Sequence, residues 1–230
     1  LKGVCWYSLF FYIKNRRMYF YKYVIIDTSG YYPFLACVDN QQVLEHWSLP
    51  VGPDLGIVLE FLFKSKNLSF QGVAVALGPG NFSATRIGIS FAQGLAMAKN
   101  VPLLGYSSLE GYLLSKDEKK ALMLPLGKRG GVLTLSSEIP EEGLNEKRRG
   151  VGPGALLSYE EASDYCVAHG YYHVISPNPQ LFASSFSDKI TVEEVAPSVE
   201  QIRRHVISQF MFVEYDKQLS PDYRSYSCIF

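Results

Sequence analysis

Residues 72–77, Gly-Val-Ala-Val-Ala-Leu, contain no polar side chain. An uninterrupted apolar run of this length suits a strand covered on both faces, as in a parallel sheet flanked by helices. The surrounding chain agrees. Gly78-Pro79-Gly80 makes a turn, residues 82–99 carry a long helical pattern, and residues 101–106 (VPLLGY) form a further strand. Parallel strands need such a crossover, so residues 72–106 read as a β-α-β unit.

Upstream, residues 21–30 (YKYVIIDTSG) form a β-branched, aromatic run that stops at Asp27-Thr28-Ser29-Gly30. This predicts a central strand ending in a turn. Residues 32–39 and 42–49 follow as two short strands of an antiparallel meander. Pro53 and Asp54 open a helix over 53–66, where the fixed proline φ and the acidic charge suit a first turn. Ser107-x-x-Glu110 has the spacing of a capping box and predicts a short helix. Three meander strands followed by crossovers give a mixed sheet with helices on its faces.

Beyond the charged residues 116–120 the pattern loosens. Residues 121–126 and 131–136 flank Gly127-Lys128-Arg129-Gly130 as a hairpin, and residues 138–154 are polar and rich in turn formers. Ser158-x-x-Glu161 caps a helix that Gly170 ends, residues 171–176 form a strand, and Ser198-x-x-Gln201 caps a last helix. The expected division is an extension outside the fold (1–17), an N-terminal α/β lobe (18–118) and a smaller C-terminal lobe (119–230).

Lys+Arg and Asp+Glu balance at 22 each among 230 residues, so bulk charge draws the chain to neither nucleic acid nor an acidic membrane. Val4 to Ile13 are uncharged but too few to span a bilayer, and Lys14, Arg16 and Arg17 follow the apolar run rather than precede it as in a signal peptide. With Met18 just before the first strand, residues 1–17 read as an upstream extension and the expected compartment is the cytoplasm. The cysteines, at 5, 37, 166 and 228, are too dispersed for a C-x-x-C site and read as reduced, small hydrophobes.

His169 and His173 have a metal-ligand spacing, but Gly170 breaks the helix that would align them. No G-x-S-x-G, H-E-x-x-H or Walker lysine occurs. Asp27, Thr28 and Ser29 are the candidates for holding a nucleotide or phosphate, against ordinary turn chemistry. Around Gly78-Pro79-Gly80, Pro79 removes one amide donor and Asn81 suits the helix N-cap.

The helix over 82–99 poses the sharper question, whether this region holds a small molecule or another protein. One row four apart is small (Ala84, Gly88, Ala92, Ala96), and the next is large and apolar (Ile87, Phe91, Leu95). The preceding helix is apolar nearly all round, with Leu59, Phe61 and Phe63 among its side chains. One sheet cannot cover both helices, so a second domain or a partner must.

The stretches VIIDTSG (24–30) and ALGPGNFSATRIGISFAQGLAMAKNVPLLGYSSLEGYL (76–113) resemble the TsaB (YeaZ) family of bacterial tRNA threonylcarbamoyladenosine biosynthesis. Gly78, Pro79, Gly80, Phe82, Arg86, Ile87 and Gly88 match its G-P-G-S-F-T-G-x-R-I-G pattern. Pro102, Gly105, Ser107, Ser108 and Leu109 match P-x-x-G-x-S-S/T-L, and residues 220–225 (SPDYRS) are similar to its closing P-x-Y-x-R. The family's Asp-Ala-Arg-like turn is replaced by Pro125 to Gly131, without the Asp. The resemblance implies an actin/Hsp70/sugar-kinase-like (ribonuclease H-like) α/β fold of two lobes, the second reduced. It implies a scaffold with no catalysis, cofactor or metal of its own, supporting a TsaD-like threonylcarbamoyl transferase beside a TsaE-like ATPase. tRNA would be met only through that complex. The implied contact, with TsaD or with a second copy as a homodimer, uses Leu59, Phe63, Phe82, Ala84, Ile87, Gly88, Phe91, Ala92 and Leu95. The competing expectation is an ATP-dependent phosphotransferase of the same superfamily using Asp27 and Thr28.

Overall fold

The computed structural model describes residues 21–51, 55–66, 68–112, 119–136 and 154–210. The extension 1–17, the stretch 113–118 where the lobes were expected to divide, the polar stretch 138–153 and residues 220–225 lie outside them.

The first sheet holds β1 (Tyr23–Asp27), β2 (Phe34–Val38), β3 (Val43–Ser48), β4 (Gly72–Ala76) and β5 (Leu103–Tyr106), in the order β3-β2-β1-β4-β5. β1, β2 and β3 pair antiparallel, and β1, β4 and β5 pair parallel. Helix α1 (Leu55–Lys66) precedes β4, and α2 (Phe82–Lys99) crosses from β4 to β5. The chain then makes a 3-10 turn over Ser108–Tyr112. Alternation along the strands divides their side chains between two faces. Val24, Ile26, Leu35, Val73 and Val75 pack under α1 and α2, while Ile25, Phe34, Ala36, Val38, Ala74 and Ala76 line the opposite face.

The second sheet holds β6 (Lys120–Pro125), β7 (Gly130–Leu135), β8 (Ala155–Ser158), β9 (His173–Ser176) and β10 (Thr191–Glu194). Its order is β10-β9-β6-β7-β8. β6, β7 and β8 pair antiparallel, and β6, β9 and β10 pair parallel. The first lobe's pattern is thus repeated strand for strand. Helix α3 (Tyr159–Ala168) stands before β9 as α1 stands before β4. Ser158 and Glu161 close the predicted capping box on it. Where α2 joins β4 to β5, the second lobe has only two short 3-10 turns, Pro179–Leu181 and Ala183–Ser185. This is the reduction of the second lobe.

Each lobe lends its closing segment to the other. Leu109 and Tyr112 of the 3-10 turn pack with Leu122, Leu124, Val132 and Ile175 of the second sheet. The last helix, α4 (Val199–Phe210), returns to the first sheet and covers its second face with Ile202 and Val206, both fully buried. Arg203 fixes it there. Its guanidinium is bonded to Glu200 and donates to the carbonyls of Asp39 and Asn40 at 3.4 and 2.8 Å. A buried guanidinium is tolerated because these acceptors replace its water.

Candidate functional site

The carboxyl ends of β1, β4 and β5 come together, the usual position for a ligand crevice in a parallel sheet. Here the three ends are laced to one another. Asn81 N donates to Ser29 O at 2.7 Å, and Ser108 N donates to Gly78 O at 2.9 Å. Gly80 lies so close to Ser29 that a Cβ there would stand 2.1 Å from the Ser29 carbonyl oxygen.

Asp27, Thr28 and Ser29 are all buried. Ser29 donates both its backbone N–H and its hydroxyl to Asp27 Oδ1, at 2.9 and 2.7 Å. With that proton committed, the 2.5 Å contact between Ser29 Oγ and Ser108 Oγ has Ser108 as its donor. Thr28 donates to the Ala84 carbonyl at 2.7 Å. Burial pushes Asp27 up to about 6, the bonds from Ser29 opposing the rise. Among the described residues no cationic side chain pairs with it. Tyr106 Oη is buried close enough to the Asp27 carboxyl to interact with it, although among the described residues no group meets it in full hydrogen-bonding geometry. The structure therefore brings the three candidate residues into a polar knot whose hydroxyls bond to the protein's own atoms.

The sequence pattern singles out Ser108 only as a family match and Tyr106 not at all, and it places neither beside Asp27 and Ser29. The Ser107-x-x-Glu110 spacing was read as a helix cap. Ser107 Oγ instead accepts from Leu109 N at 3.3 Å in a 3-10 turn, and Glu110 faces His205 of α4 at 3.2 Å. The two candidate histidines do not converge. His169 Nδ1 contacts the Tyr165 carbonyl, and His173 Nε2 contacts Glu193, each at 2.8 Å.

The nine candidate interface residues divide. Leu59 and Ala92 are fully buried beneath their own helices, and Gly88 is buried against Thr28. A partner cannot touch the first two. The small row of α2 meets β1 because a backbone so close to the sheet leaves no room for larger side chains. Ala84, Ile87, Phe91 and Leu95 are half-buried at the edge of the same core, as is Phe63, whose ring lies 5.3 Å from that of Phe91. Phe82 is exposed, with the Arg86 guanidinium 4.6 Å from its ring centroid. Two further apolar side chains face outward and were not singled out in the sequence, Ile57 at 69% exposure and Met97 at 82%. Helical periodicity assigns residues to faces, but which face meets the sheet is settled by packing.

Two five-stranded mixed sheets of one order, with a crossover helix lost from the second, define a two-lobed α/β chain of actin/Hsp70/sugar-kinase-like architecture. The fold is that of YeaZ. A Pseudomonas aeruginosa structure described as an uncharacterized protein with similarity to peptidase YEAZ covers 88% of this chain and 99% of its own, with TM-score 0.61 and 18% identity. YeaZ from Pseudomonas aeruginosa covers 83% and 93%, with TM-score 0.56 and 18% identity. Residues 54–145 match the family model of TsaD, tRNA N6-adenosine threonylcarbamoyltransferase. The enzyme of that description from Desulforapulum autotrophicum is 49% identical over 45 residues, 20% of this chain and 14% of that one. Its counterpart from Bdellovibrio bacteriovorus is 39% identical over 70 residues, 28% and 20% of the two chains. The aligned segments span a fifth or less of these two relatives.

Among the described residues no helix is long and apolar enough to cross a membrane.

Proposed function

We propose that the chain is a non-catalytic subunit of the apparatus that places threonylcarbamoyl on the adenosine next to the anticodon of tRNA. It supports a TsaD-like transferase through the outer surface of α1 and α2, works beside a TsaE-like ATPase in the cytoplasm, and meets tRNA through the assembled complex. In the absence of the transferase the same surface pairs two copies of this chain.

The observation that carries this reading is the coincidence of two findings. The YeaZ fold extends over most of the chain, and the TsaD-family match falls on residues 54–145, the segment that contains both helices. The exposed Ile57, Phe82 and Met97 supply apolar contact area. The interlaced polar knot supports assigning the chemistry to a partner rather than to Asp27 and Thr28.

The test is co-purification of the full chain with the TsaD homologue of its own source, followed by tRNA modification assays leaving out one subunit at a time. Modification should require this chain. Ile57→Glu and Met97→Glu should weaken co-purification at least tenfold while leaving the thermal unfolding transition cooperative. Full modification in its absence would sink the proposal. Phe91→Glu is a poor probe, because Phe91 packs on Phe63 within the chain.

A further inference from the structure

The amino ends of β6, β9 and β10 lie side by side along one edge of the second sheet, Lys120 beside His173 and His173 beside Thr191. Helix α3 ends at the same edge, where Gly170, at φ 74°, turns the chain into β9. This edge carries side chains that the fold does not employ. Tyr171 packs into the core of the second sheet, but Tyr172 is 50% exposed and makes no ring contact or side-chain hydrogen bond among the described residues. Tyr165 is 38% exposed, and its ring stacks on that of His169 with centroids 4.1 Å apart. Lys119 Nζ stands 3.5 Å from where a Cβ on Gly170 would be, and Lys189 lies just before β10. Both lysines are exposed. Among the described residues neither has an acidic partner: Asp164 and Asp188 pair with neither, and Glu193 is held by His173.

Exposed rings interleaved with unpaired cations match the two parts of an unpaired nucleotide, a base with a flat face and a phosphate with a charge. We propose that this edge of the second sheet is a contact for single-stranded RNA, with bases stacking on Tyr172 and on the Tyr165–His169 pair and phosphates meeting Lys119 and Lys189. The inference rests on the proposed role in tRNA modification, which supplies the RNA: the anticodon loop, whose bases are unpaired, beside the adenosine that is modified.

The rings stand on fixed backbone. Thr191 N donates to the Tyr172 carbonyl at 2.9 Å, and Tyr171 N donates to the Cys166 carbonyl at 2.8 Å, so the start of β9 is tied to both β10 and α3. A ring held this way loses little freedom when a base stacks on it. The chain's balanced charge gives no long-range pull, and the two lysines act only within about a Debye length, ~8 Å at physiological salt. The edge belongs to the second lobe, whereas α1 and α2 belong to the first. A partner seated on those helices and an RNA seated on this edge therefore use different parts of the surface.

The test is fluorescence anisotropy of a labelled anticodon stem-loop RNA titrated with the full chain between 50 and 200 mM salt, beside a fully paired RNA of the same length. The stem-loop should bind the more tightly, because paired bases offer no free face. Tyr172→Ala should weaken binding about fivefold or more, and Tyr172→Phe, which keeps the ring, should not. Lys119→Gln combined with Lys189→Gln should flatten the slope of log affinity against log salt by about 1.4, two phosphates at ~0.7 each. That pair is exposed and decides the matter should Tyr172→Ala fail to fold. No binding by the wild type, equal affinity for the paired RNA, unchanged affinity in Tyr172→Ala or an unchanged slope in the lysine pair overturns the inference. So does a Tyr172→Ala chain that binds the stem-loop normally but no longer co-purifies with the TsaD homologue, which would make this edge a protein contact. The titration contains no transferase, so the RNA contact and the scaffold reading can fail separately.

Discussion

At Asp27 the fold holds an acid where acids are disfavoured. Its carboxyl is pushed up from 3.8 to about 6 by burial. An acid raised on folding adds its full stability below the unfolded value, near pH 4, and loses that contribution as pH climbs through 6. Ionisation at pH 8 then costs on the order of 3 kcal/mol, taken from the shift at ~1.4 kcal/mol per unit. Asp27→Asn keeps an oxygen to accept from Ser29 and has no charge to bury. It should raise the melting temperature at pH 8 by several degrees and by well under half as much at pH 4.5, a comparison for differential scanning calorimetry. Equal effects at both pH values would mean that the carboxyl is not the cause. The sequence marks Asp27-Thr28-Ser29 as special, since an Asp-Thr-Ser-Gly turn after an apolar strand is legible. It does not show that the other half of the knot, Tyr106 and Ser108, comes from the far end of the sheet. Such a pairing depends on strand order, which no local pattern encodes.

At the scale of the element, α2 is where local pattern and packing can be separated. Its N-cap is Asn81, as its chemistry predicts, accepting from Ala84 N at 3.0 Å. The small row correctly signals a close approach, but the neighbour is the chain's own β1. Two glycines in the helix make this testable. A Cβ at Gly88 would meet Thr28 Oγ1 at 2.3 Å, and Thr28 is held by its bond to Ala84. Gly88→Ala should destabilise by about 1–3 kcal/mol through overpacking. Gly94 is exposed with nothing within 4 Å of a Cβ. Gly94→Ala should stabilise by up to ~1 kcal/mol by helix propensity alone. Urea unfolding of the two variants checks the pair, and matching signs would contradict this placement of the helix. The strands overlooked in the sequence, β8 and β10, are four residues each, too short for their alternation to stand out from the surrounding loops.

At the scale of the molecule, the lobes hold each other together by exchange. Without α4 the first sheet would expose a face that includes Ile25, Phe34, Ala36, Val38, Ala74 and Ala76. A fragment covering 18–118 should lack a cooperative melting transition and bind a hydrophobic dye, while the full chain unfolds in one step. Ile202→Ala, removing a fully buried anchor of α4, should cost the whole protein about 2–5 kcal/mol. A fragment that melts sharply on its own would show that the exchange is ornamental. The matching strand orders could not be read from the sequence, because the lobes share topology without sharing spacing or side chains. The exchange also sets a timetable for synthesis. The strands of the first sheet are complete once residue 106 has emerged from the ribosome, but the helix that covers the second face is made of residues 199–210. During the translation of nearly half the chain the nascent protein carries an open apolar sheet, the kind of surface that chaperones bind and neighbouring chains stick to.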